Sequence, residues 1–295
     1  MNFGNLPDKY CGYRQARTVI LPVPYDNTST WLKGADRGPQ ALLDASANVE
    51  LFDIETETEV FRTGICTLPP VVCPADPALM VEEVRAQAEQ HFQAGKFVVG
   101  LGGEHSVTVG LIRAALKFHQ GLSVLQFDAH SDLRKDYEGS PYNHACVMAR
   151  VNEMCSSVQV GIRSMDKAEW DAADRDRIVF AHDLHKLGMN AASEALDLLT
   201  DKVYLTVDLD VLDPAFMPST GTPEPGGLDW YTLTRLIRRV VRERTIVGMD
   251  VVELLPRAEN PAPDFLAAKL IYHTLSMIFA KESSWGQNSI LSPTD

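Results

Sequence analysis

The sequence has no apolar stretch long enough to cross a bilayer, and residues 1–10 carry no apolar signal region. That pattern predicts a soluble cytoplasmic protein. Its five cysteines (Cys11, Cys66, Cys73, Cys146 and Cys155) are odd in number and lack zinc-finger spacing. A disulfide framework is therefore not expected, and a reducing compartment is. Basic excess is missing as well. The formal charge of −13 argues against nucleic acid and anionic membrane surfaces as partners, and favours small cations through long-range attraction. Internal repeats, low-complexity tracts and linker-like stretches are also missing. The chain thus reads as one domain over 1–295, with 1–16 as an N-terminal extension.

What is present is alternation. Strand-like runs at 17–23, 97–101, 122–127, 158–161, 203–207 and 246–252 are interleaved with helix-like runs. The helical pattern covers 40–47, 78–94, 107–118, 167–173, 191–200, 231–244 and 265–280. The strands are apolar throughout rather than half-polar, which predicts an α/β fold with a mostly parallel sheet covered on both faces. Such sheets place their sites at the carboxyl ends of strands.

Two acidic clusters fall at such ends. Asp128-Ala129-His130-Ser131-Asp132 follows the apolar run 122–127, and Asp208-Leu209-Asp210 follows 203–207. Alternate side chains of extended backbone point the same way, so each cluster aims its polar groups at one spot. Converging carboxylates and imidazoles repel or take up protons unless cations neutralise them. His105, inside Gly102-Gly103-Glu104-His105-Ser106, sits at a third strand end, where the glycines allow a sharp turn. Alone it would be an ordinary loop or capping histidine; the two clusters downstream give it weight. Asp213, ahead of Pro214, reads as a turn-former. Four carboxylates and two imidazoles without a thiolate suit Mn²⁺ or Mg²⁺ better than structural Zn²⁺. Two such ions can share a water, lower its pKa and present hydroxide to carbon or phosphorus.

Three segments, 102–106, 127–133 and 208–214, resemble the signatures of the ureohydrolase family (arginase, agmatinase, formimidoylglutamase, guanidinobutyrase), and 222–228 and 250–253 also fit. The resemblance runs from about Val19 to the last helix. It implies a three-layer α/β/α sandwich, two Mn²⁺ per subunit, hydrolysis of a guanidino group to urea and an amine, and a homotrimer or homohexamer. On this resemblance His105, Asp128, Asp132 and Asp208 hold one ion. Asp128, His130, Asp208 and Asp210 hold the other. Glu253 would fix the guanidinium through charge-assisted hydrogen bonds, although from the residues alone it is equally a strand-end surface acid. His144 would carry a proton to the departing amine.

Substrate choice rests on the loops. Asp136 and Glu138, in the segment 134–141, suit a distant ammonium, or else belong to a solvated loop of mixed charge. Arg134 and Lys135 in the same loop could meet a carboxylate, which keeps arginase and formimidoylglutamase activity as lesser alternatives. Asp166 either contacts the substrate amine or caps a helix with Glu169. Trp31 either walls the cleft or packs as core. The segment 25–39 looks closest to bacterial agmatinase-like members. The expected reaction is agmatine plus water to putrescine and urea, with N1-aminopropylagmatine giving spermidine as the nearest alternative. A metal-dependent phosphatase, a single-metal deacetylase-like amidase and a non-catalytic paralogue are the readings from other classes.

Overall fold

The apolar runs become strands, most of which divide their side chains between two cores. In the computed structural model, which describes residues 2–280, these are β1 (Thr18–Val23), β2 (Ile65–Thr67), β3 (Phe97–Gly102) and β4 (Leu122–Phe127). They continue as β5 (Ser157–Ile162), β6 (Ile178–Phe180), β7 (Lys202–Asp208) and β8 (Thr245–Val252). All pair in parallel, in the order β2-β1-β3-β8-β7-β4-β5-β6.

Period-two alternation builds the layers. Ile20, Val99, Leu101, Leu125, Phe127, Leu205 and Val207 enter one core, where α1 (Gly38–Ser46), α8 (Trp230–Glu243) and α9 (Ala262–Phe279) pack. Val19, Leu21, Val98, Val124 and Tyr204 enter the other, under α2 (Pro77–Gln93), α3 (Thr108–Leu116) and α4 (Val147–Asn152). The expected α/β/α sandwich is the result. Each fully buried Val, Leu or Phe contributes about 1.5–3 kcal/mol, so both helix layers are held mainly by these faces. Short helices α5 (Lys167–Ala172), α6 (Ala181–Leu187) and α7 (Ser193–Asp197) finish the far edge. Residues before β1 join the packing, with Phe3 and Leu6 buried in the first core.

The sequence pattern missed β2, β6, α4 and α6, which at three to seven residues are too short to show a period. The four strands that end in candidate ligands are neighbours in the middle of the sheet. Registers such as Leu101↔Val251, Phe127↔Val207 and Asp208↔Val252 bring their carboxyl ends level. Among the described residues no helix is long and apolar enough to cross a membrane.

Candidate active site

His105 opens a 3₁₀ turn just past β3, and Asp128 directly follows β4. Asp208 ends β7 ahead of the turn that carries Asp210, and Glu253 directly follows β8. Neither Gly102 nor Gly103 takes a left-handed conformation. Gly103 is needed for close approach: a Cβ there would lie 2.1 Å from the Tyr25 carbonyl oxygen. The groups converge as two overlapping sets, His105, Asp128 and Asp132, and Asp128, His130 and Asp210. Within each set the possible ligand atoms lie within 4.8 Å of one another. Asp128 belongs to both. Asp208 faces the first set, its Oδ2 3.4 Å from His105 Nδ1. Asp132 (φ 51°) and Glu253 (φ 66°) hold left-handed backbone, which costs about 1–3 kcal/mol each and is typical of functional sites. Glu253 is tied twice, donating its backbone N–H to Gly103 (2.7 Å) and accepting the His105 N–H on Oε1 (2.7 Å).

Dryness sets the electrostatics. Burial, reinforced by Asp128, pushes Asp132 up to about 7. Burial, followed by repulsion from Asp210 and Asp128, also lifts Asp208 well above the carboxylate range. Burial alone would lower the imidazoles, but Asp210 and Asp128 push His130 up to about 12. Protons thus substitute for missing positive charge, which bound cations would supply. A direct test of fit is His105 Nδ1. It is buried and lies 3.1, 3.2 and 3.4 Å from oxygens of Asp128, Asp132 and Asp208, yet has no directed hydrogen bond. A lone pair encircled by carboxylate oxygens is the arrangement a divalent ion completes. Oxygen and imidazole donors without thiolate fit hard or borderline ions.

Above this floor lies a cavity of about 260 Å³. His144, Trp31, Asp166, Arg134 and Tyr137 form its walls, and Glu253 reaches it from below. Burial pushes the His144 imidazole down to about 4, so the ring is neutral at ordinary pH. Trp31 is 67% exposed, which settles its place as wall rather than core. Asp166 both lines the cavity and caps α5 in a reciprocal box with Glu169, each side chain taking the other's N–H at 2.8 Å. Asp136 and Glu138 do not line the cavity; both are exposed. Tyr137 and Ser140 exchange backbone hydrogen bonds, leaving Glu138 (φ 49°) and Gly139 at the outer tip of a tight turn. Their expected role as ammonium ligands is thereby corrected: Arg134, stacked 4.2 Å over Tyr137 and 3.6 Å from Asp166, faces the cavity instead. Asp213 is the expected turn-former, its carboxylate accepting N–H groups of Ala215, Gly226 and Gly227.

The arginase family model matches residues 16–276. The chain belongs to the arginase family. An N(1)-aminopropylagmatine ureohydrolase of Thermus thermophilus is 41% identical, covering 92% of this chain and 93% of that protein. An agmatinase of Pyrococcus horikoshii is 30% identical, covering 90% and 93% respectively. The crystal structure of agmatine ureohydrolase of Thermoplasma volcanium aligns with a TM-score of 0.84 at 33% identity, covering 92% and 93%. The protein is therefore a guanidino ureohydrolase, a hydrolase of C–N bonds in a binuclear metal-dependent family. The phosphatase and deacetylase-like readings give way to it.

Behind the ligands this ureohydrolase carries a set of polar residues that the sequence reading passed over. His105 Nε2 lies 2.9 Å from Thr206 Oγ1, which donates to Asp250 Oδ1 at 2.6 Å; Tyr204 donates to Asp250 Oδ2 at 2.9 Å. A hydroxyl whose proton is given to Asp250 can only accept from Nε2–H, which leaves the Nδ1 lone pair free. Gln126 donates to Asp128 Oδ2 at 2.6 Å, and Gln159 donates to both Gln126 and the Ser131 carbonyl. Arg163 draws the Asp210 and Glu224 carbonyls together, at 2.6 and 2.8 Å. A signal was available: Gln126, Gln159 and Thr206 interrupt apolar strands, and a buried polar side chain needs a partner. Replacing Thr206 by Val should keep the fold and weaken Mn²⁺ binding about 10–100-fold. Titration of metal-free protein checks this; unchanged affinity would remove Thr206 from the account.

Proposed function

We propose that this ureohydrolase acts on N1-aminopropylagmatine, releasing urea and leaving spermidine. One observation carries the choice: the relative named for that activity is 41% identical, whereas the agmatinase is 30% identical over a similar span. The sequence led to agmatine as the expected substrate with the aminopropyl compound as the nearest alternative, and the order of identities supports that alternative better. Both substrates present the same guanidino end to the same floor, so the metal motifs are blind to the difference. Agmatine is the second reading, favoured by the likeness to the agmatine ureohydrolase structure.

In this proposal His105, Asp128, Asp132 and Asp208 hold one divalent ion, and Asp128, His130, Asp208 and Asp210 the other, with Mn²⁺ as the expected metal. When bound, such ions supply a nucleophile from water at neutral pH and stabilise developing charge. The chain's own residues do the rest. Glu253, at the cavity floor, holds the guanidinium plane against in-plane and tilting motion through charge-assisted hydrogen bonds. His144, neutral in its buried setting, takes up a proton and returns it to the departing amine nitrogen. Trp31 offers its exposed face to the methylene chain or a distal ammonium, and Asp166 a carboxylate to the amine. The family resemblance supports a single-domain subunit, assembled as a homotrimer or homohexamer in the cytoplasm.

Urea release by Mn²⁺-loaded protein tests the reading across N1-aminopropylagmatine, agmatine, guanidinobutyrate and arginine. kcat/KM for the aminopropyl compound should exceed that for agmatine by about 10-fold or more, and that for arginine by about 10³-fold. Faster turnover of agmatine would establish the second reading. Arginine as the best substrate would overturn both.

A further inference from the structure

We propose that Thr28 is a positioning residue that selects the tautomer of His144, with Glu104 holding the Thr28 hydroxyl in the required direction. The inference rests on the reading of His144 as the proton carrier and adds what makes one of its nitrogens basic.

Thr28 is buried in the loop after β1, 116 positions from His144 in the chain. Its Oγ1 accepts the His144 backbone N–H at 2.9 Å and lies 3.4 Å from the ring Nδ1. It also donates to Glu104 Oε1 at 2.5 Å. A hydroxyl has one hydrogen and two lone pairs. With the hydrogen on Glu104 and one lone pair on the backbone N–H, only an acceptor site remains toward Nδ1. Nδ1 must then carry the ring hydrogen, and Nε2 is left as the basic nitrogen.

Glu104 is well placed to enforce this direction. Fully buried, it accepts from four groups: Thr28 N–H (2.6 Å) and Ser29 N–H (3.1 Å) on Oε2, and the Thr28 and Ser106 hydroxyls (2.5 Å each) on Oε1. The two backbone donors fix Oε2 as an acceptor and hold the carboxylate so that Oε1 faces both hydroxyls. The loop itself is closed by Asp26, whose Oδ2 takes the N–H groups of Gly34 (2.5 Å) and Ala35 (3.0 Å). The turn bearing His144 is tied to the same loop, Asn143 Nδ2 donating to the Thr28 carbonyl at 3.4 Å. Glu104 immediately precedes His105, so one carboxylate keeps the metal-ligand turn, the proton carrier and the loop leading to Trp31 in register.

The test uses Mn²⁺-loaded wild type, Thr28→Val, Thr28→Ser, His144→Ala and the double variant, with kcat, KM and metal per chain measured for each. Thr28→Val should lower kcat about 30–100-fold with KM within about 2-fold and full metal, and Thr28→Ser should recover to within about 3-fold. Adding Thr28→Val to His144→Ala should cost nothing further. If His144→Ala itself keeps wild-type kcat, the reading of His144 fails. If His144→Ala loses rate while Thr28→Val does not, or the two losses multiply, the role of Thr28 is overturned. Nitrogen NMR of histidine-labelled, Mg²⁺-loaded wild type needs no stable variant: His144 should show the Nδ1–H tautomer, and the Nε2–H tautomer would refute the proposal.

Discussion

Asp128→Ala should cost the enzyme both metal ions at once and lower urea release by more than about 10³-fold, a loss above about 4 kcal/mol of transition-state stabilisation. Asp128 is common to both clusters of converging groups and, with Asp208, to both proposed ligand sets; its carboxylate is fully buried between His105 Nδ1 (3.1 Å) and His130 Nδ1 (3.7 Å). Asp132 and Asp210 each belong to one set, so their alanine variants should retain about one ion. Without metal, burial opposes the Asp128 charge, but hydrogen bonds and charge from His105 and His130 overcome it and hold the carboxyl below its ordinary range; Gln126 and the His130 N–H also donate to it. The metal-free variant should therefore melt lower than metal-free wild type. Mn²⁺ at about 100 times its Kd should add about 2.7 kcal/mol per bound ion to wild type and nothing to Asp128→Ala. Metal counting after dialysis and thermal melts with and without Mn²⁺ check this. Two ions retained by the variant would contradict the assignment.

Glu253→Gln should leave both ions in place and still lower kcat/KM about 10³-fold. The amide is the same size as the acid and keeps an oxygen for the His105 N–H, now accepted at 2.7 Å. What it loses is charge and acceptor capacity toward a guanidinium, which has only donors to offer. The native carboxyl is poised for a cation: burial, then repulsion from Glu104, lifts it well above the ordinary glutamate range. A bound guanidinium opposes both effects. Loss of metal with the rate would instead mark Glu253 as a support for the His105 turn. An unchanged rate would remove it from the reaction.

The acidic clusters were legible because each directly follows an apolar run, and such runs end together at one edge of a parallel sheet. His105, Asp128, His130, Asp132, Asp208 and Asp210 gather there, but turns rather than extended backbone aim them: His105 and Asp210 lie in 3₁₀ turns and Asp132 holds φ 51°. Neighbour relations are not local. Nothing in the spacing of residues says that β8 inserts between β3 and β7, yet that insertion places Glu253 against His105. The pairing of Thr28 with His144 is hidden in the same way. Asp136 and Glu138 misled because charge suggests a partner, whereas both side chains are exposed and Glu138 sits at the tip of a two-residue turn. Trp31 and Asp166 could be read either way until exposure and capping geometry were known.

Anomalous diffraction from crystals loaded with Mn²⁺ tests the central claim most directly. Two peaks should appear at the carboxyl ends of β3, β4 and β7, one bonded to His105 Nδ1, the other to His130 Nδ1, both touching Asp128. A single peak, or manganese bound away from Asp128, would contradict the account.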